Sequence, residues 1–156
     1  MKKLRIYVDT SVIGGCFDPE FKLWSEALVA DFREGRYTAV MSDVTATEVA
    51  PAPEFVKALH QELLGLPPEL VRVDADAVSL VQCYIERSVL GKRFLNDMLH
   101  IALATTAEVD VLVSWNFRHI VRLDKIRLFN AVNLEQGYKQ LTIYSPREVF
   151  NYEKEG

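Results

Sequence analysis

Short apolar runs alternate with longer amphipathic segments along the chain. The runs are rich in β-branched and aromatic residues and are bounded by polar or turn-forming residues, a pattern typical of strands. Parallel neighbours need crossover connections, so strands that alternate with helices predict an α/β domain with a mainly parallel sheet and helices on both faces. The predicted strands cover residues 4–8, 37–41, 70–73, 110–114 and 141–144.

Apolar residues at helical spacing occupy the segments between these strands. Ser42 and Asp74 stand where their side chains can cap the helices that follow. Before Gly91, four aliphatic residues fall on one stripe and predict a buried helix face: Val78, Val81, Ile85 and Val89. The predicted helices cover residues 18–35, 42–50, 53–64, 74–91, 96–104 and 123–137.

The length of the chain favours one folded unit. Its 156 residues, 49% hydrophobic and 26% charged, are ordinary for one globular domain. We expect a single domain over residues 1–150, followed by a tail of residues 151–156. The apolar stretch after Lys2 and Lys3 is too short for a signal peptide, and no segment approaches the ~20 apolar residues of a membrane span. We therefore expect a soluble, cytoplasmic protein without a membrane partner.

The charge balance limits how a polyanion could bind. Lys and Arg number 18 against 22 Asp and Glu, a net charge of −4, so a general basic coat for nucleic acid is excluded. Basic residues are concentrated locally, before Asp97 and again after Asn116, where they could contact phosphates as well as form an ordinary solvated face. The proposed phosphate contacts are Lys92, Arg93, Arg118 and Arg122.

Polar residues follow two of the predicted strands. Asp9 ends the first strand, and Asn116 follows the strand at 110–114. Ligands of parallel sheets bind at the carboxyl ends of the strands, so both residues are expected at the edge where chemistry occurs. Clustered carboxylates repel one another unless a cation neutralises them, and hard divalent cations prefer oxygen ligands.

Four motifs occur in order along nearly the whole chain and resemble the PIN family, which includes the VapC-like toxin ribonucleases of bacterial toxin–antitoxin modules. Each motif is short, and the specificity lies in their ordered combination. They are Tyr-Val-Asp-Thr-Ser ending at Ser11, Thr-Ala-Thr-Glu-Val ending at Val49, Asn-Asp-Met-Leu-His-Ile-Ala-Leu-Ala ending at Ala104, and Val-Ser-Trp-Asn-Phe-Arg-His-Ile ending at Ile120.

The resemblance implies a three-layer α/β/α sandwich in which Asp9, Glu48 and Asp97 bind Mg²⁺ or Mn²⁺ and hydrolyse RNA. It also implies a homodimer and a protein antitoxin as partners. Family members commonly carry a fourth acid where this chain has Asn116. We therefore predict that Asn116 orients water or substrate, with Thr10, Ser11 and Ser114 as supporting hydroxyls.

Each site residue also has a purely structural interpretation. Asp9 could cap a turn, Glu48 could be solvated, and Asp97 could complement a helix N-terminus. His100 shares a helix face with Asp97, but a structural role is the expectation for it, and the three histidines lack the spacing of a zinc site.

Two other functions compete with the ribonuclease. A haloacid dehalogenase-like phosphatase would need a second aspartate at position 11, where this chain has Ser11. A catalytically weakened PIN domain that binds RNA or protein remains the main alternative, because Asn116 removes one negative charge from the site.

Overall fold

Five parallel strands form the central sheet of the protein. A computed structural model describes residues 2–155, with side chains through Glu153. The strand order is β3-β2-β1-β4-β5, and every neighbouring pair is parallel. The strands are β1 (Arg5–Val8), β2 (Thr38–Ser42), β3 (Glu69–Val71), β4 (Val111–Val113) and β5 (Ile143–Tyr144).

Helices cover both faces of this sheet and make a three-layer α/β/α sandwich, as predicted. A 3₁₀ turn at Lys92–Phe94 precedes one of them. The helices are α1 (Thr10–Gly15), α2 (Lys22–Arg33), α3 (Asp43–Val49), α4 (Glu54–Leu64), α5 (Ala75–Glu86), α6 (Leu95–Thr106), α7 (Leu123–Glu135) and α8 (Pro146–Glu155). The expected tail begins within α8, and its residue 156 lies outside the described part of the chain. Among the described helices, none combines the length and apolarity that a bilayer span requires.

The alternation of side chains along β1 divides the core into two. Ile6 and Val8 pack with α1, α2 and α4 on one face, whereas Tyr7 packs with α5, α6 and α7 on the other. Successive strand residues point to opposite faces, so both faces of this central strand must be apolar or satisfied by hydrogen bonds. Tyr7 is fully buried and carries a hydroxyl that needs a partner.

Two helices and one helix face differ from the sequence-based expectation. The predicted turn after Asp9 is the short helix α1, and α8 was not predicted at all. In α5 the predicted stripe is wrong in part: Val81 is buried and Ile85 packs against the core, but Val78 is 54% exposed, and the buried Val89 lies beyond the helix end at Glu86. The buried face is instead Ala77, Leu80, Val81 and Tyr84.

Close packing fixes α1 beside the end of β4. A Cβ built on Gly15 would lie 2.6 Å from both Ser25 Oγ and Trp115 Nε1, so only glycine fits at this point. Trp115 Nε1 donates to Ser25 Oγ at 2.8 Å, and Ser25 Oγ donates to the carbonyl of Val12 at 2.9 Å. These bonds hold α1, and hence the hydroxyl residues at its start, against the strand that precedes Asn116.

Candidate metal centre

The carboxylate of Asp9 is buried and oriented by hydroxyl groups. Asp9 is 6% exposed and occupies the N-cap position of α1 without a side-chain capping bond, so the capping interpretation does not account for it. Its Oδ2 accepts from Ser11 Oγ at 2.6 Å and from Ser114 Oγ at 2.8 Å. Because Ser114 follows β4, these bonds hold Asp9 between the ends of β1 and β4, where the strand order reverses direction.

Glu48 reaches the same place from α3. Ser42 Oγ accepts the backbone N–H of Thr45 and caps this helix, as predicted. Glu48 Oε1 accepts from Thr10 Oγ1 at 2.8 Å and lies 2.6 Å from His100 Nε2. Burial raises the pKa of Glu48, but the hydrogen bond and charge of His100 outweigh it, and the net pKa lies below its ordinary value.

His100 connects the two carboxylates inside the protein. It is 1% exposed, and its Nε2 lies 3.3 Å from Asp9 Oδ1 and 2.6 Å from Glu48 Oε1. Its Nδ1 lies 2.6 Å from the Tyr7 hydroxyl, which lies 2.7 Å from Ser42 Oγ. Burial lowers the pKa of His100, yet the bond to Glu48 and the nearby carboxylates raise it overall.

Sequence reasoning assigned His100 a structural role and did not single out Tyr7. Two features of the sequence could have pointed to these residues. His100 shares the helix face of Asp97, and Tyr7 stands two residues before Asp9, between the apolar residues Ile6 and Val8. A buried tyrosine needs a polar partner, but the sequence does not say which residue supplies it.

The donor set of Asp9, Glu48 and His100 suits a divalent cation. One ligand atom from each residue lies within 4.8 Å of the others, and among the described residues this is the one group of three or more acidic, histidine or cysteine side chains that does so. Carboxylate oxygen and imidazole nitrogen are both ligands of divalent first-row metals, and carboxylate also suits Mg²⁺.

Asp97 lies outside this compact group. It stands in the first turn of α6, and its Oδ2 lies 2.8 Å from Nδ1 of His119. The ring of His119 packs against that of Phe94 at a centroid distance of 4.0 Å and an interplanar angle of 51°. The charge of Asp97 still contributes to raising the pKa of His100, so Asp97 lies near the centre.

Asn116 is engaged by the backbone. Its Oδ1 accepts from the N–H groups of Arg118 at 3.2 Å and His119 at 2.9 Å, and its own N–H donates to Ser114 Oγ at 2.9 Å. The side-chain carbonyl therefore stabilises the turn after β4. Its predicted role in orienting water or substrate stays a prediction.

Three of the four proposed phosphate contacts line one cleft beside Asp97. We call it the basic cleft, and its volume is about 350 Å³. The Arg93 guanidinium lies 4.7 Å from the centre of the Phe94 ring, and Arg122 Nε lies 2.8 Å from Asp124. Lys92 is not among the lining residues. The basic side chains that line it are Arg93, Arg118, His119, Arg122 and Lys125.

Comparison of the sequence with protein-family models and with curated proteins finds no match. Solved structures do match. The crystal structure of VapBC2 from Rickettsia felis bound to a DNA fragment from their promoter has a TM-score of 0.59 at 13% identity, covering 91% of this chain and 98% of that chain. The crystal structure of FitAcB from Neisseria gonorrhoeae has a TM-score of 0.58 at 15% identity, covering 90% and 97%.

These matches extend over nearly the full length of each compared chain, and the shared architecture is a parallel sheet between helices. Identities of 13% and 15% are informative about the fold and not about the chemistry. The resemblance drawn from the four sequence motifs is confirmed at that level: this chain has a PIN-like fold.

Proposed function

We propose that the protein is a divalent-metal-dependent ribonuclease that hydrolyses RNA phosphodiester bonds, and that it acts as the toxin of a toxin–antitoxin pair in the cytoplasm. The observation that carries the proposal is the convergence of Asp9, Glu48 and His100 at the carboxyl edge of the sheet. Clefts at this edge are where open parallel sheets bind their ligands.

The bound cation, Mg²⁺ or Mn²⁺, would supply Lewis-acid stabilisation of charge on the phosphate and increase the acidity of a nucleophilic water. Asp9 and Glu48 provide its carboxylate ligands. The role of Asp97 as a third carboxylate ligand stays a prediction, and from its half-buried place at the rim this residue is also available to orient the water or the substrate. Hydrolysis through attack by water needs no covalent protein nucleophile.

The basic cleft supports RNA as the substrate. Its guanidinium groups lie next to the Asp97–His119 pair, so a strand whose backbone contacts Arg93, Arg118 and Arg122 would pass the acidic centre. Phosphate contacts position a nucleic acid without reading its sequence. Lys92 lies in the chain between the lining residues Gly91 and Arg93 and would provide an outer contact.

A protein antitoxin is the proposed partner. Two of the matching structures are complexes named VapBC2 and FitAcB, and this chain covers 98% and 97% of the matched chains. An antitoxin would restrain cleavage by covering the acidic centre. Homodimerisation is a further proposal, which light scattering of the purified protein would test.

One observation favours a binding module without catalysis. Asn116 stands where members of the resembled family commonly carry a fourth acid. Its side-chain carbonyl already accepts hydrogen bonds from two backbone N–H groups. Such a protein would bind RNA through the basic cleft and leave it intact.

Cleavage assays separate the two functions. Purified protein is incubated with RNA in Mn²⁺, in Mg²⁺ and in a chelator, next to Asp9→Asn and Asp97→Asn. Asp31→Asn is the matched control, because Asp31 is a buried aspartate on α2, away from the centre. We expect cleavage by wild type and Asp31→Asn alone. Equal cleavage by all four would reveal a contaminating nuclease, and binding without cleavage would establish the module.

The toxin assignment needs a cellular measurement. Induced expression of the wild type should arrest growth of a bacterial host, whereas Asp9→Asn expressed to the same level should not. Arrest by both proteins would contradict toxicity through RNA cleavage.

A further inference from the structure

We propose that His100 binds the divalent cation directly through Nε2, so that the centre is a mixed nitrogen and oxygen site completed by Asp9 and Glu48. This inference rests on the metal dependence in the proposed function and names a ligand that the resemblance does not supply. The imidazole would take the place of the fourth acid that the resembled family commonly carries. It comes from α6, whereas that acid follows β4.

The distances around Nε2 suit a shared cation. Ligand atoms about 2.1 Å from a cation and at right angles to each other lie about 3 Å apart. His100 Nε2 lies 3.3 Å from Asp9 Oδ1 and 2.6 Å from Glu48 Oε1, which brackets that separation. A shift of a few tenths of an ångström in the half-exposed Glu48 side chain would admit the ion.

The Tyr7 and Ser42 hydroxyls support the orientation that a ligand needs. When Nδ1–H donates to the Tyr7 oxygen, Tyr7 can donate to Ser42, and Nε2 presents its lone pair to the carboxylates. Metal-bound histidines usually donate their second ring N–H to such a partner, which fixes the tautomer and the ring. All three residues are buried, so this bonding chain is shielded from water.

The other donors expected at the centre are engaged elsewhere. Asp97 is bonded to His119, and the Asn116 carbonyl accepts two backbone N–H groups. Those bonds leave Asp9, Glu48 and His100 as the residues whose ligand atoms face one another. An imidazole nitrogen in this set favours Mn²⁺ over Mg²⁺, because nitrogen ligands suit transition metals and Mg²⁺ strongly prefers oxygen.

Pulsed electron paramagnetic resonance of Mn²⁺ bound to the wild-type protein tests the inference without depending on catalysis. A directly bound imidazole gives ¹⁴N modulation, and growth with ¹⁵N-histidine converts it to the ¹⁵N pattern. We expect both results. Mn²⁺ affinity measured by calorimetry should exceed that for Mg²⁺.

Two histidine variants identify the residue. His100→Gln should abolish the nitrogen modulation and lower Mn²⁺ affinity at least about tenfold, with a smaller loss for Mg²⁺. His119→Gln is the matched control and should keep the modulation, because its ring bonds to Asp97 outside the compact group. Thermal unfolding of each variant shows whether it is folded.

The outcomes distinguish this inference from the proposed function. Mn²⁺ that binds the wild type in an Asp9-dependent manner but shows no histidine nitrogen would overturn the ligand role of His100 alone. Absence of Asp9-dependent metal binding would overturn the metal dependence itself, and the ligand role with it. Modulation that survives His100→Gln but disappears in His119→Gln would assign the nitrogen to His119 and contradict the inference.

Discussion

Two pairs of carboxyl groups lie at opposite edges of the sheet, and a buried or half-buried tyrosine lies near each pair. At the carboxyl edge, Asp9 and Glu48 face His100, which Tyr7 supports. At the other edge, Asp31 of α2 and Glu153 of α8 meet beside Tyr37, the residue that precedes β2. Both pairs join distant parts of the chain.

The two pairs differ in how their surroundings shift the pKa of one carboxyl group. The pKa of Glu48 is lowered despite burial, because His100 interacts with the charged form. Burial, together with the hydrogen bond and charge of Glu153, raises the pKa of Asp31 to about 7 against the opposing charge of Arg36. The imidazole thus favours the ionised form of Glu48, whereas burial beside a second carboxyl favours the protonated form of Asp31.

A metal-binding carboxylate is distinguished by more than burial and a neighbouring carboxyl group. Burial and proximity of two carboxyls are common to both pairs, so neither feature identifies a metal site. The distinguishing feature is a buried imidazole nitrogen that faces both carboxylates and can offer a lone pair to a cation. At the opposite edge, the group that faces both carboxyls is the exposed guanidinium of Arg36, which has no such lone pair, and Tyr37 donates to Glu153.

The largest expected effect is the loss of RNA cleavage when the glutamate of the first pair is replaced, but not when that of the second pair is. Glu48→Gln removes a carboxylate ligand and should lower the rate of RNA cleavage about 100-fold or more, since metal-ion catalysis is worth several kcal/mol. Glu153→Gln is the matched control and should leave the rate within about twofold. Initial rates on one RNA in Mn²⁺ measure both, and comparable losses would remove the functional distinction between the pairs.

The next largest expected effect is on metal affinity, when each of the two tyrosines is replaced by phenylalanine. Tyr7→Phe leaves His100 Nδ1 and Ser42 Oγ without their shared partner, so metal affinity should fall about tenfold and stability by about 1–3 kcal/mol. Tyr37→Phe should lower stability alone, because its hydroxyl bonds to Glu153. Calorimetric metal titration and urea unfolding measure the two quantities. Equal metal affinity in both variants would show that Tyr7 does not position the ligand.

The raised pKa of Asp31 predicts a pH dependence of stability. Its pKa is about 7 in the folded protein against an ordinary 3.8, so the folded state binds the proton more tightly. The stabilisation is fully present below about pH 4 and is lost as pH rises through about 7.

Asp31→Asn should remove that dependence. Between about pH 4 and 7, the free energy of unfolding of wild type should fall relative to that of Asp31→Asn. Urea unfolding at several pH values measures the difference, with cleavage activity unchanged as the control. A constant difference across this range would contradict a protonated Asp31.

The smallest effect concerns Arg36. Its guanidinium lies 3.4 Å from Asp31 and 4.0 Å from Glu153 but is 53% exposed, so Arg36→Gln should cost less than about 1 kcal/mol. Because Arg36 lowers the pKa of Asp31, its removal should move that pKa upward. Carboxyl ¹³C chemical shifts followed against pH measure the shift, and a downward movement would contradict the assigned charges.

Most of the framework follows from local pattern. The runs before Asp9 and Asn116 are apolar and short, so their strand character and the position of both residues at strand ends could be predicted. Ser42 and Asp74 cap the predicted helices, since a capping bond spans only three residues. Val78 was wrongly placed on the buried face of α5 because an aliphatic stripe does not say which neighbours will cover it.

The sequence by itself therefore determined the parallel α/β framework and the location of Asp9 at a strand end. Only the tertiary structure decided that His100 meets Glu48, 52 residues away, that Asp97 pairs with His119, and that Asn116 bonds to the backbone. The reason is physical: strand and helix periods act over a few residues, whereas a ligand set depends on how helices from different crossovers pack at one edge of the sheet.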